Sequence, residues 1–247
     1  MSEYNNNKKS PVTAEDWKRM FDTVIDRSGS GDLKHGALLP RWGRDDLLPL
    51  WVADMDFATP QFITDALRKR LDHSLFGYTV MPDEFWTTII NWIRTHHQWE
   101  VKRQWMSFVP GIVKGIGLAV NIFTRPDEKV IIQPPVYHPF RLVPLGNGRE
   151  VVFNPLKENN GTYEMDFDNL QRVADDKCKL LILCNPHNPA GVCWSRETLV
   201  RLADFCRTDD LAHADLLDLI FLQQIIKRCA DDFLYVHAVP PALFRSG

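Results

Sequence analysis

The stretch Lys179-Leu180-Leu181-Ile182-Leu183-Cys184-Asn185 decides the fold class. Its five consecutive apolar residues carry no polar alternation, which is what a strand covered on both faces requires, because a period of two survives only where one face meets water. Strands of this kind sit in parallel sheets flanked by helices. Working outward, helical and extended patterns alternate: a helix over 112–123 behind Gly111, a strand over 129–133 (KVIIQ), a helix near 136–145, a strand over 150–154 (EVVFN), a helix over 166–176, the strand over 179–185, and a helix over 195–207. The alternation predicts a wound, mainly parallel α/β sheet. Two amphipathic helices precede it. One opens at Thr59-Pro60, with Thr59 as N-cap, and the other at Pro82, with Asp83 and Glu84 in its first turn. Residues 1–50 are polar and glycine-containing and read as an irregular arm with a small-domain segment; the sheet-forming part runs over 51–207.

The composition, 45% hydrophobic and 25% charged over 247 residues, supports one substantial core and excludes a disordered or collagen-like chain. A formal net charge of −3 gives no basic field for nucleic acid. The first residues contain no apolar targeting segment and no stretch reaches membrane-spanning length, so the expected location is the cytoplasm, with no membrane partner. Cys178, Cys184, Cys193, Cys206 and Cys229 lack the spacing of a disulfide framework or zinc site, and reduced thiols are expected. The eight histidines form no ligand cluster, and adjacent His96 and His97 leave a helix on different faces. No metal is expected.

In wound sheets, ligands gather at the carboxyl ends of the strands. Three segments there can carry chemistry. Gly111 leads into a helix whose first backbone N–H groups could hold a phosphate, although glycine before a helix is more often only a turn. Pro134-Pro135-Val136-Tyr137-His138-Pro139-Phe140 puts two rings just past a strand, either to stack on a planar ligand or to fill the core. Cys184-Asn185-Pro186-His187-Asn188-Pro189-Ala190-Gly191 follows the most buried strand; its two Asn-Pro pairs force an extended, turning backbone that could aim an amide inward.

The run Asn-Pro-His-Asn-Pro-Ala-Gly resembles the Asn-Pro-x-Asn-Pro-Thr/Ser-Gly motif of the class I/II aminotransferase family, whose members are pyridoxal-phosphate (PLP) enzymes. Trp51-Val52-Ala53-Asp54-Met55-Asp56-Phe57-Ala58-Thr59-Pro60 and Phe76-Gly77-Tyr78 are similar to its MalY/PatB subgroup, the cystathionine β-lyase-like carbon–sulfur lyases. The resemblance spans about residues 20–207. It implies the large domain of a PLP-dependent transferase fold, in incomplete form. It also implies site roles: Asn188 on the cofactor's phenolic oxygen, Tyr137 stacked on the pyridine ring, the amides of Ile112 and Val113 after Gly111 on the phosphate, and Tyr78 reaching the phosphate of a neighbouring subunit in a homodimer. Ala190 stands where the family usually has Thr or Ser, which removes a local hydroxyl. The implied activity is β-elimination from a sulfur-containing amino acid, giving thiol, pyruvate and ammonia. Transamination shares the same early steps and the same residues. A non-catalytic remnant or binding protein with a partial pocket is the reading from another class.

PLP catalysis needs a lysine that forms a Schiff base and an acidic partner for the pyridine nitrogen. The family resemblance implies that both follow the Asn motif, beyond residue 207. There the chain reads Thr208-Asp209-Asp210-Leu211-Ala212-His213-Ala214-Asp215 and continues in a helix-like run, LLDLIFLQQIIKRCADDF. Lys227 is the only lysine after Asn188, and its neighbours Ile225, Ile226, Arg228 and Cys229 match no catalytic loop. Asp210, Asp215 and Asp218 sit at no recognisable strand end, and Arg245 is a poor substitute for the family's substrate-gripping arginine. The expectation is therefore that no catalytic residue is present, that 208–247 is an atypical tail, and that the reading frame slips near Thr208.

Overall fold

The computed structural model of the chain describes residues 13–207 and the backbone of the strand at 218–222. The chain divides into two compact units, residues 1–79 and 80–247.

In the first unit, helix α1 (Ala14–Asp22) starts with a capping box in which Thr13 and Asp16 each satisfy the other's backbone N–H. Two short helices follow, α2 (Leu33–Gly36) and α3 (Leu38–Trp42), the latter closed by Gly43 at φ 68°. This part is therefore more regular than its glycine and polar content predicts. Charge holds it together. Arg27 pairs with Asp32 at 3.2 Å and Asp56 at 2.8 Å and also meets Asp54, while buried Lys34 reaches Asp56 at 2.7 Å. Trp51 Nε1 donates to the Lys34 carbonyl at 3.1 Å. The acidic pair of the Trp51–Pro60 segment is thus pinned by two cations of the same unit. Helix α4 (Gln61–Asp72) has Pro60, not Thr59, at its N-cap and makes no side-chain cap bond, because proline at the cap leaves Thr59 one residue too early to accept from the first turn.

The second unit begins with α5 (Asp83–His97), capped at its C-terminus by Gln98 at φ 51°, and α6 (Ile112–Phe123). Then follow β1 (Lys129–Ile132), α7 (Pro139–Gly146), β2 (Glu150–Phe153), the hairpin β3 (Lys157–Asn159) and β4 (Thr162–Glu164), α8 (Phe167–Val173), β5 (Cys178–Cys184), α9 (Arg196–Arg207) and β6 (Asp218–Leu222). The four long strands form one parallel sheet in the order β2-β1-β5-β6. The expected wound parallel α/β sheet is the architecture observed.

β5 is central and buried along its length, and its side chains divide between two cores. Leu180, Ile182 and Cys184 join Val130, Ile132, Ile116 and Val120 of α6, and Phe140 of α7. Leu181 and Leu183 join Ile131, Leu170 of α8, Trp194 and Leu202 of α9. Helices cover both faces, which is why the run has no polar alternation.

Two further expectations are corrected. The segment 218–222, read as part of a helix-like run, is a strand in register with β5 from Leu180↔Asp218 to Cys184↔Leu222. Its Leu-Ile-Phe-Leu core suits either state, and pairing with β5 decides. The expectation of five reduced cysteines holds for Cys178, Cys184 and Cys206, which are free, but not for Cys193, which is disulfide-bonded; sequence spacing does not encode that contact. Lys227, Asp210, Asp215 and Arg245 lie outside the described residues.

Candidate active site at the switch point of the sheet

The strand order points to a candidate position. From β1 the chain passes through α7 to β2 on one side, and from β5 it passes through α9 to β6 on the other. α7 packs on the Ile116–Ile182 core and α9 on the opposite one. The connections leaving β1 and β5 therefore diverge, and the position between their carboxyl ends is where an open α/β sheet usually takes its ligand. The two loops bordering it are Gln133–His138 and Asn185–Trp194, the segments that carry Tyr137 and Asn188.

Several contacts join them. Val136 and Pro189 form an isolated antiparallel bridge. His187 Nε2 lies 3.0 Å from the carbonyl oxygen of Pro135, an oxygen that can only accept, so the ring carries its proton on Nε2. Within the second loop, Gly191 N donates to the His187 carbonyl and His187 N to the Val192 carbonyl, each at 2.7 Å. Asn188 N donates to Cys184 Sγ at 3.2 Å. Trp194 closes the loop: its indole N–H reaches the Cys184 carbonyl at 2.9 Å, its backbone N–H reaches Asn185 Oδ1 at 3.2 Å, and its ring meets His187 edge to face with centroids 5.4 Å apart. The Pro134-Pro135, Asn185-Pro186 and Asn188-Pro189 peptide bonds are all cis.

Tyr137 and Asn188 are half-buried and flank the bridging pair. Tyr137 packs against the core that holds Ile116 and Phe140, with its ring set against Phe140 at 71°. Neither its hydroxyl nor the Asn188 carboxamide has a hydrogen-bond partner among the described residues. Gly111 is the N-cap of α6, at φ 101° and ψ 148°, with no side-chain cap, so the amides of Ile112 and Val113 begin a helix whose first-turn donors are uncommitted. One turn further, Ile116 is fully buried in the same core as Tyr137. Tyr78 belongs to the first unit and is fully exposed.

Sequence reasoning assigned no individual role to four buried polar residues at this end of the sheet. Gln133, Asn154, Asn185 and His187 follow the carboxyl ends of β1, β2 and β5, and each is at most 2% exposed. Among the described residues, both amide atoms of Gln133, the Nδ2 atoms of Asn154 and Asn185, and Nδ1 of His187 have no protein partner. Burial lowers the His187 pKa from its ordinary value, which disfavours the charged ring. The available signal was position: polar residues directly after apolar strands. Asp218, one of the acids weighed as a pyridine partner, is the first residue of β6, opposite Leu180, and so stands at the far end of the sheet from the two loops. Among the described residues no group of three or more His, Cys, Asp or Glu side chains is placed to hold a metal, and no helix is long and apolar enough to cross a membrane.

Comparison with known proteins gives the family and the fold. The chain is 41% identical over 204 residues to cystathionine β-lyase PatB of Bacillus subtilis, covering 80% of this chain and 53% of that protein. To protein MalY of Escherichia coli it is 34% identical over 188 residues, 75% of this chain and 48% of the other. The crystal structure of the PLP-bound C–S lyase from Staphylococcus hominis superimposes with a TM-score of 0.71 at 32% identity, covering 81% of this chain and 50% of that one. The chain thus spans about half the length of the curated relatives it matches. A family model described as aminotransferase class I and II matches residues 45–215, well over half of the chain. The chain belongs to the aminotransferase class I and II family, a family of PLP-dependent enzymes.

Proposed function

We propose that this chain carries the cofactor cradle of a cytoplasmic, PLP-dependent carbon–sulfur β-lyase that works as a homodimer on a sulfur-containing amino acid such as cystathionine. The observation that carries the reading is the Val136–Pro189 bridge, which joins the loops of Tyr137 and Asn188 at the switch point of the sheet. The similarity to PatB and to the Staphylococcus C–S lyase supports elimination over transamination.

The residues present fit the cofactor. An aromatic ring backed by an apolar core suits a planar pyridine, and an uncommitted carboxamide suits a phenolic oxygen. A helix start without a side-chain cap suits a phosphate. In this reading the amides of Ile112 and Val113, freed by the turn at Gly111, would hold the phosphate, Tyr137 would stack on the ring, and Asn188 would donate to the phenolic oxygen. Tyr78 would serve the phosphate held by a second subunit. When bound, the cofactor supplies an electron sink for the pair left on the substrate Cα after proton loss. Tyr137 and Asn188, on two loops joined at Val136 and Pro189, would hold the cofactor from two sides.

The proton itself needs a lysine amine. We infer that these 247 residues do not provide one, because Lys227 alone follows Asn188 and stands within Ile-Ile-Lys-Arg-Cys, and that they bind the cofactor without linking to it. Borohydride treatment of the chain mixed with PLP, followed by peptide mapping, tests both parts. The expected outcome is saturable PLP binding, no lysine-linked pyridoxyl peptide at stoichiometric yield and no thiol released from cystathionine. A pyridoxyl group fixed on one lysine together with thiol release overturns the missing lysine; absence of PLP binding overturns the cradle.

A further inference from the structure

The roles above leave His187 unused. We propose that His187 is a positioning residue: its Nε2–H ties the loop bearing Asn188 to the loop bearing Tyr137 and sets the spacing of the two side chains that grip the cofactor. The proposal rests on the reading of this position as a PLP cradle.

The need for such a tie comes from the loops themselves. Pro134, Pro135 and Pro139 lie in or beside the first loop and Pro186 and Pro189 in the second, and each removes a backbone donor. Main-chain bonding between the loops is therefore sparse, and among the described residues the bridge at Val136 and Pro189 is joined by a bond from His187 to Pro135, 52 residues apart in sequence. Pro135 lies two residues before Tyr137, and His187 immediately precedes Asn188, so a shift at this bond moves both side chains. The imidazole is 2% exposed and braced by the Trp194 ring, and Trp194 is itself anchored on Cys184 and Asn185. A ring held on two sides offers its N–H in one direction, as a positioning element must.

Two variants of the full chain separate this role from simple core filling. His187→Leu keeps apolar bulk and removes the donor. His187→Gln keeps an N–H at about the reach of Nε2. The expected result is PLP affinity about tenfold weaker in the leucine variant, the scale of one lost hydrogen bond, and largely restored in the glutamine variant. Amide hydrogen exchange is expected to accelerate at 136–138 and 187–192 in the leucine variant, with β1 and β5 unchanged. Unaltered affinity in His187→Leu, or a glutamine variant as weak as leucine with faster exchange throughout the sheet, would overturn the proposal. Should wild type bind no PLP, the cradle reading falls, while the exchange comparison still decides whether His187 joins the loops. If the leucine variant does not fold, His187→Asn, whose shorter amide does not reach Pro135, replaces it.

Discussion

Substituting Gly111 by alanine tests the helix start from which the phosphate-binding reading follows. At φ 101° and ψ 148° the residue occupies backbone space that only glycine enters readily. A Cβ built there meets nothing within 4 Å, so no clash with neighbours contributes and the cost is backbone strain alone. Strain of this kind costs about 1–3 kcal/mol, and the lower freedom of alanine in the unfolded chain returns about 0.4–1 kcal/mol, leaving a net loss of about 1–2 kcal/mol. Gly115 is the internal control. It lies within α6, has no positive φ and also has open space around its Cβ position, so alanine there is expected to gain about 0.5–1 kcal/mol. In urea, with a slope of about 2 kcal/mol per molar, the midpoint of Gly111→Ala should fall by about 0.5–1 M and that of Gly115→Ala should rise by about 0.3–0.5 M. Opposite signs from the same chemical change, four residues apart, are the signature. A Gly111→Ala protein as stable as wild type would refute the claim that this turn is held in its special conformation.

Other outcomes follow from the same packing. His187 is buried with a pKa held below the usual 6.5 by desolvation; its contribution to stability is therefore complete above pH 6.5 and is lost as pH falls through that value toward its folded pKa. Unfolding free energy measured from pH 8 to 5 should decline more steeply in wild type than in His187→Gln, and parallel curves would contradict the assignment. Burial pushes the Cys178 thiol up to about 11 and the Cys206 thiol up to about 12, and raises Cys184 as well. A disulfide reagent at pH 8 should accordingly modify these three slowly in the folded protein and quickly in urea, so rapid modification in native buffer would count against their burial. Arg149, 8% exposed, donates to the Thr124 carbonyl at 2.7 Å and to its hydroxyl at 3.1 Å, tying the end of α6 to the start of β2. Arg149→Met should lower stability by about 1–3 kcal/mol, measured by denaturant titration, and a smaller loss would mean the bond is not maintained.

Much of this fold was readable because burial on both faces leaves its mark on composition. The apolar run at 180–184 needed no tertiary information to be recognised as a central parallel strand, and Gly111, Pro82 and the strand ends near 129, 150 and 178 fell within one residue of the boundaries found. Some features were readable and overlooked. Thr13 and Asp16 form a capping pair, and Asn160-Gly161, at φ 50° and 79°, is the two-residue turn of a hairpin. Others depend on contacts that no local pattern contains. Strand β6 exists by pairing with β5, and the clamp of Arg27 and Lys34 on Asp54 and Asp56 joins residues more than 20 apart. Site residues divide in the same way. Tyr137 and Asn188 were singled out through a family resemblance, whereas the bond of His187 to the other loop involves a partner 52 residues away and leaves no trace in the local pattern.

The central claim, that the position between the carboxyl ends of β1 and β5 is a PLP cradle, is tested most directly by equilibrium binding of PLP to the chain and to its Asn188→Ala and Tyr137→Ala variants, with pyridoxal lacking the phosphate as the comparison ligand. The expected result is saturable binding by wild type, about tenfold weaker binding by each variant, and a larger loss for pyridoxal. Equal binding by all three proteins, or no preference for the phosphorylated ligand, would contradict it.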